Sequence, residues 1–244
     1  MKKIAIIGSG ISGLYLANLL EKDSNFDYKI YEKRQNLNLE ESYGIQLSVN
    51  SIKLLNKIGF KSLPTHEVSF PNKVNFFDVK NNNKICDIDI TRFNEETNCY
   101  TTLKRSTLIK FLMDKVPDSK INYNIELKNV EYREKLNVNF SNNQNENFDY
   151  IIVSDGVFSK TKSIIAGKDI SPKFFKSVAL RGKIKTHNNS DISIFMGPNF
   201  HFVIYPVNQN DEYNFISIIK KDLSQKQIED KKLFKNNDFL QSLI

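Results

Sequence analysis

The chain's 244 residues allow one large domain or two modest ones, enough to bury a substantial core, while its apolar runs are too short to span a bilayer. A net charge of +7 arises from scattered lysines without a dense basic block, which argues against nucleic acid as the partner and suits an anionic cofactor and a small anionic substrate. The two cysteines, Cys86 and Cys99, form no metal-ligand pattern, so no metal site is expected; free thiols in a reducing compartment and a cytoplasmic location are. The first apolar run begins almost at Met1, which leaves no room for a signal peptide ahead of it.

Lys3-Ile4-Ala5-Ile6-Ile7 reads as a buried strand. It is followed by Gly8-Ser9-Gly10-Ile11-Ser12-Gly13, and then by Leu14 to Leu20, a helix with an apolar face. Tyr28-Lys29-Ile30-Tyr31 is a second strand and ends on Glu32. Strand, glycine turn, helix, strand and acid form the βαβ unit that cradles a dinucleotide. Gly8 permits the tight turn, Gly10 lets a pyrophosphate approach the backbone, and Gly13 lets the helix lie close to the strand. The amides at the helix N-terminus, Ile11, Ser12 and Gly13 among them, face the phosphates. Glu32, 24 residues after Gly8, is placed to accept hydrogen bonds from ribose hydroxyls, and its charge favours FAD or NAD over NADP.

A polar loop spans 33–42, and Tyr43 to Leu47 reads as a short strand. A helix over 51–58 stops at Gly59, and strands 74–79 and 85–90 make a hairpin around asparagines. Residues 101–103 lead into a helix over 106–115 that Pro117 ends. Strands follow over 125–132 and 136–140, with 142–147 as a loose turn. Tyr150-Ile151-Ile152-Val153 is continuous and apolar, as a central parallel strand would be. It ends in Asp155-Gly156, at the carboxyl end of a strand where α/β sheets bind ligands, although Asp-Gly alone is only a turn signal. Four strands over 178–185, 192–196, 201–207 and 213–219 suggest an antiparallel sheet. Residues 224–235 read as a charged helix, and 239–244 as the start of an amphipathic stretch.

In this order the motifs resemble the FAD-dependent aromatic hydroxylases, single-component flavoprotein monooxygenases similar to para-hydroxybenzoate and salicylate hydroxylases. Gly8 to Gly13 matches the FAD fingerprint, and Tyr31-Glu32-Lys33-Arg34 the second-strand acid with its basic followers. Gly44-Ile45-Gln46-Leu47-Ser48 matches a flavin-side strand, and Arg105-Ser106-Thr107-Leu108 the helix whose leading arginine reaches the cofactor. Ser154-Asp155-Gly156-Val157-Phe158-Ser159 matches the Asp-Gly motif, with serine where alanine is usual. Gly197 to Val207 resembles a substrate-domain strand ending in Tyr-Pro.

The resemblance implies an α/β architecture. Its Rossmann-like FAD-binding domain, residues 1–70 and 101–172, has a mostly parallel sheet. Its antiparallel β-rich substrate domain, 71–100 and 173–244, is inserted and stops before the family's second FAD-binding segment. It implies that Gly8, Gly10, Ile11, Ser12, Gly13, Glu32, Lys33, Arg34, Gln46, Arg105, Asp155 and Gly156 contact the cofactor. It implies a monooxygenase in which NAD(P)H reduces FAD and a flavin C4a-hydroperoxide, formed from O₂, hydroxylates a small aromatic substrate. No protein nucleophile is required, and no catalytic residue is assigned.

The chain contains no Gly-Asp dipeptide, the motif that in this family holds the ribityl chain, so the expectation includes a missing C-terminal third and impaired catalysis by these residues alone. Two alternatives stay open: a non-catalytic nucleotide-binding remnant, and a flavoprotein reductase of polyprenyl substrates. Arg105 also reads as a solvated charge at a helix start, and Gln46 as a strand residue satisfying backbone. His201, Tyr205 and Arg181 have no assigned role; a packed tyrosine and a solvent-facing histidine are the plainer reading of the first two.

Overall fold

The computed structural model describes residues 1–37, 39, 43–186, 189–230, 232–235 and 237–241. In chain order the first elements are β1 (Lys2–Ile7), α1 (Ile11–Leu20), β2 (Phe26–Glu32), β3 (Gly44–Leu47), α2 (Val49–Asn56), β4 (Val68–Ser69), β5 (Lys73–Asp78) and β6 (Lys84–Asp89). Next come β7 (Thr101–Lys104), α3 (Arg105–Met113), β8 (Ile121–Tyr123), β9 (Leu127–Tyr132), β10 (Leu136–Phe140), β11 (Asn145–Phe148), β12 (Tyr150–Val153) and α4 (Thr161–Ala166). The last are β13 (Ser177–Lys185), β14 (Ile192–Met196), β15 (Phe200–Pro206), β16 (Glu212–Lys220), α5 (Gln225–Glu229) and α6 (Asn237–Gln241).

The elements gather into two compact units, each drawn from separate stretches of chain. The first comprises Met1–Ser42, Lys57–Phe60 and Arg105–Pro172. Its sheet has the order β12-β1-β2-β8 with every pairing parallel. Alternation splits the strand residues between two faces. Ala5, Ile7 and Tyr31 pack with Leu127, Val138, Phe140 and Phe148 of the antiparallel meander β9-β10-β11. There the Tyr31 ring stacks on Phe140 at 4.1 Å and meets Phe148 edge-on at 6.0 Å. Burial and the neighbouring Glu146, whose carboxylate accepts a 3.0 Å hydrogen bond from its hydroxyl, hold the Tyr31 phenol far above its ordinary pKa. On the helical side Leu14 and Ala17 of α1 are fully buried. Asn18 there donates to Leu14 O at 2.8 Å and Leu112 O at 2.9 Å, which ties α1 to α3.

The second unit comprises Tyr43–Asn56, Lys61–Lys104 and Lys173–Ile244. Its main sheet runs β13-β16-β15-β14-β5-β6, and a small sheet runs β3-β7-β4. One face of the main sheet buries Ile192, Val203, Tyr205 and Val207 with Ile90. The other face carries Val178, Ile219 and Leu223, and a row of rings from Phe77 through Phe195 and Phe202 to Phe215.

Several sequence expectations need correction. The strand Tyr150–Val153 lies at a sheet edge rather than in the centre: β1 is its partner among the described residues, and Tyr150 is 49% exposed. The large sheet is mixed, because β14 runs parallel to β5. The segment read as a loose turn over 142–147 contains the start of β11, where exposed Asn145 and Asn147 alternate with Glu146 and Phe148 against β10. Residues 43–56, 61–70 and 101–104 group with the second unit rather than with the nucleotide-binding unit. The reason is local pairing: β3 and β4 both hydrogen-bond β7, and Gly44 N donates to Asn214 Oδ1 at 2.6 Å. The charged stretch 224–235 is not one helix: it holds the short α5, opened by a Ser224–Gln227 capping box, and a 3-10 turn over Leu233–Lys235. Parts of the loop over 33–42 and of the stretches 224–235 and 239–244 lie outside the described residues.

Candidate functional site

The site of the first unit is built at the carboxyl ends of β1, β2 and β12. The chain leaves β1 through Gly8, whose φ of +102° is closed to most side chains and whose N–H donates to Tyr31 O at 2.9 Å. A Cβ at Gly8 would sit 2.7 Å from Ser154 O, and one at Gly13 only 2.1 Å from Gly8 O. Both glycines are therefore explained by packing between the turn, α1 and the segment after β12. Gly10 differs: its φ is an ordinary −73°, and a Cβ there would meet nothing nearer than Ser154 O at 4.0 Å. The protein's own packing gives no reason for glycine at position 10.

Glu32 closes β2 and is 8% exposed. Its Oε2 accepts from Ser9 N at 3.0 Å and the Ser9 hydroxyl at 2.8 Å, and its Oε1 accepts from Arg34 N at 3.0 Å. A carboxylate offers about four acceptor positions, so lone pairs remain for a further donor. Across the turn, Ser154 N donates to Ile7 O at 2.8 Å, and the Ser154 hydroxyl lies 2.9 Å from Ile7 O and 3.1 Å from Gly8 O. Serine here clamps the end of β12 to the glycine turn. Asp155 follows: its Oδ2 accepts from the Thr161 hydroxyl at 2.9 Å, while its Oδ1 is buried with no hydrogen-bond partner among the described residues. An unpaired buried carboxylate oxygen costs free energy of order 1–3 kcal/mol, more when charged. Gly156 has φ +85° and open space where a Cβ would stand.

These groups line a cavity of about 340 Å³. Of the residues singled out from sequence, Gly8, Gly10, Glu32, Lys33, Arg34, Arg105, Asp155 and Gly156 come together on its wall. Ile11, Ser12 and Gly13 form the first turn of α1 beside it, where amides lack intrahelical acceptors and Gly10 as N-cap supplies no side-chain bond. Gln46 belongs to the second unit, where its Oε1 accepts from the Tyr100 hydroxyl at 2.7 Å. The wall also carries Lys160, Glu126, Thr161 and Phe158, which sequence reasoning did not select. Only Thr161 had a legible cue, being a hydroxyl at the start of the basic helical stretch that follows the Asp-Gly motif. A hydrogen bond from Lys128, against the opposing cost of burial, holds the Glu126 carboxyl below its usual range. No group of three or more metal-ligating side chains occurs among the described residues.

The donor set fits a nucleotide cofactor on three observations. Gly10 leaves open a cradle that any side chain would fill, the helix start presents amides, and Asp155 Oδ1 is an acceptor in need of a hydroxyl.

Comparisons with known proteins agree. The family model described as an NAD(P)-binding Rossmann-like domain matches residues 6–39. A 3-amino-4-hydroxybenzoate 2-monooxygenase of Streptomyces platensis is 20% identical over 229 residues, 89% of this chain and 56% of its own length. One from Streptomyces cremeus is 23% identical over 219 residues, 84% of this chain and 53% of its own. This chain thus spans about half the length of the curated relatives it matches. Among solved structures, Klebsiella pneumoniae HpxO complexed with FAD and uric acid superposes with a TM-score of 0.81 at 17% identity, covering 91% of this chain and 57% of that one. A salicylate hydroxylase substrate complex gives a TM-score of 0.75 at 18% identity, covering 91% and 57%. The chain has the fold of these two proteins.

Proposed function

We propose that this chain binds FAD in the cavity of its first unit and is part of an NAD(P)H- and O₂-consuming monooxygenase that hydroxylates a small aromatic ring. The observation that carries the reading is Gly10: glycine that packing does not require stands where a pyrophosphate would lie against the backbone. In this reading Ile11, Ser12 and Gly13 offer amides to the phosphates, and Glu32 accepts from the adenosine ribose. Lys33, Arg34 and Arg105 balance the diphosphate charge. Asp155 Oδ1 accepts from a cofactor hydroxyl, with Gly156 leaving space beside it. A bound flavin would supply the redox and oxygen chemistry; the residues of this chain would bind it, orient it and exclude water. A reducing cytoplasmic setting belongs to this reading and is supported by Cys86 and Cys99 being unpaired. Among the described residues no helix is long and apolar enough to cross a membrane.

Isothermal titration with FAD and with ADP tests the cofactor assignment. Both are expected to bind the purified protein, and Gly10→Val is expected to abolish both while leaving the circular dichroism spectrum unchanged. Equal affinity of wild type and Gly10→Val would remove the reading. Incubation with NADH or NADPH, ¹⁸O₂ and a panel of aromatic acids tests the reaction on the protein completed by a C-terminal segment, with ¹⁸O in a ring hydroxyl as the expected product and little or none from these residues alone.

A further inference from the structure

The cofactor reading leaves one buried hydroxyl on the cavity wall without a role. Thr161 opens α4, is 3% exposed, and lines the cavity. Its Oγ1 donates to Asp155 Oδ2 at 2.9 Å, while Asp155 Oδ1 is buried with no hydrogen-bond partner among the described residues. The residue as a whole is only half-buried, so water is within reach of a turned carboxylate. The terminal torsion of an aspartate is soft, and hydration would relieve the unpaired oxygen. The bond from Thr161 opposes that turn.

The hydroxyl is itself held by its surroundings. Ser159 N donates to Gly156 O at 3.1 Å, Lys162 N donates to the Ser159 hydroxyl at 3.1 Å, and Lys162 Nζ donates to Val157 O at 3.0 Å. These bonds fold 156–162 into a frame around Thr161, whose β-branched side chain has little rotational freedom. On the other side of Asp155, the Ser154 hydroxyl lies 2.9 Å from Ile7 O and 3.1 Å from Gly8 O, which fixes the backbone from which the carboxylate springs. With the backbone fixed at one end and Oδ2 fixed at the other, Oδ1 is left a single setting.

We propose that Thr161 is a positioning residue for cofactor binding: its hydroxyl holds the Asp155 carboxylate away from water and ready to accept from a cofactor hydroxyl. The proposal rests on the reading of this cavity as the FAD site and adds to it a residue that acts through Asp155. The unpaired oxygen is unfavourable in the ligand-free chain and is satisfied when a hydroxyl arrives. Preorganisation of this kind moves the cost of ordering from the binding step into the fold. Valine has the shape of threonine without the donor, and serine keeps the donor without the methyl group. The two substitutions therefore separate the hydroxyl bond from packing.

The test is a double-mutant cycle on FAD affinity, read by isothermal titration, with Thr161→Val, Asp155→Ala and the two combined. Thr161→Val is expected to weaken FAD by about tenfold or more, and Thr161→Ser to stay within about threefold of wild type. Added to Asp155→Ala, Thr161→Val is expected to change affinity by less than about twofold, because its effect runs through the carboxylate. Unchanged affinity in Thr161→Val would overturn the proposal. So would the same loss with and without the Asp155 carboxylate, which would make Thr161 a packing residue. A second arm needs no ligand. In a crystal structure of ligand-free Thr161→Val the Asp155 carboxylate is expected to have turned toward solvent, and a carboxylate left where wild type holds it would overturn the proposal even if affinity fell. Wild-type affinity in Asp155→Ala would remove Asp155 from the cofactor site and this proposal with it. Failure of wild type to bind FAD would count against the cofactor reading, while the crystal structure still decides whether Thr161 sets the carboxylate.

Discussion

The two units build their sites from different materials. In the first, the site is built around backbone: a glycine turn, the start of α1 and the ends of three parallel strands, with Glu32, Glu126 and Asp155 as acids on the wall. In the second, polar side chains are brought together from distant elements, Gln46 with the Tyr100 hydroxyl and Arg181 with the Tyr43 ring, the latter pair more than 130 positions apart in the chain. A backbone site needs particular residue types at short, fixed spacing, because only certain dihedrals and missing Cβ atoms produce it. A side-chain site has no such constraint, since any strand that reaches the face can supply the group.

The sharpest way to break this comparison lies within the glycine turn. Gly13→Ala should destabilise the first unit by about 3 kcal/mol or more, because its Cβ meets a backbone oxygen at 2.1 Å that has no room to yield. Gly10→Ala should change stability by less than about 1 kcal/mol, since its Cβ meets nothing within ordinary contact distance, yet weaken ADP binding at least tenfold. Urea denaturation with and without ADP separates the two. If Gly10→Ala unfolds the chain as readily as Gly13→Ala does, position 10 is structural and the comparison fails.

Glu32→Gln is next in expected size. The buried carboxylate holds Ser9 N, the Ser9 hydroxyl and Arg34 N together. Charge-assisted bonds of this kind contribute roughly 1.5–3 kcal/mol, so the midpoint of urea denaturation should fall even without ligand. Ser9 is fully buried, which makes Glu32 as much a brace of the turn as a ligand contact.

What was legible in the sequence follows the same division. The βαβ start, the Asp-Gly turn and the four late strands could be read because each is local: a period, a glycine, an acid at a strand end. Eight of the twelve selected residues do meet on one cavity wall. The grouping of 43–56, 61–70 and 101–104 with the second unit could not be read, because it depends on β3 and β4 finding β7 more than thirty residues away. The edge position of β12 was misread for a related reason. A continuous apolar run says that a strand is apolar on both faces; it does not say how many neighbours pair with it. Gln46 was selected for a resemblance to a flavin-side strand, but its bond to the Tyr100 hydroxyl emerges only when distant segments are folded together.

Gly182→Ala probes the second unit's own dependence on a missing Cβ. The contact is with the Phe215 ring, not with backbone, so the ring can shift at the cost of its stacking on Phe202, now at 5.6 Å. About 1–3 kcal/mol is expected in urea denaturation. Unchanged stability would show that the Phe215 ring yields without cost and that the missing Cβ does not fix the packing of β13 on β16.

The smallest effect expected is electrostatic. Lys104, at the end of β7, pairs with Glu212, at the start of β16, and so ties the small sheet of the second unit to its large one. The hydrogen bond from Lys104 holds the Glu212 carboxyl below its usual pKa of 4.5, and Asn208 assists, against the cost of burial. Because the folded value is depressed, the unfolded chain takes up the proton first as pH falls. The pair therefore stabilises the fold fully above the unfolded value and loses its effect as pH drops through the folded one. Both side chains keep about a quarter of their surface in water, at 26% and 22% exposure, so solvent screening limits the gain to about 0.5 kcal/mol. Glu212→Gln should lower stability by that amount at pH 7 and by a vanishing amount near pH 2.5, with the difference at pH 7 also shrinking in 1 M salt. A destabilisation that is the same at both pH values would assign Glu212 a packing role through Asn208 and leave Lys104 without a part in holding the two sheets together.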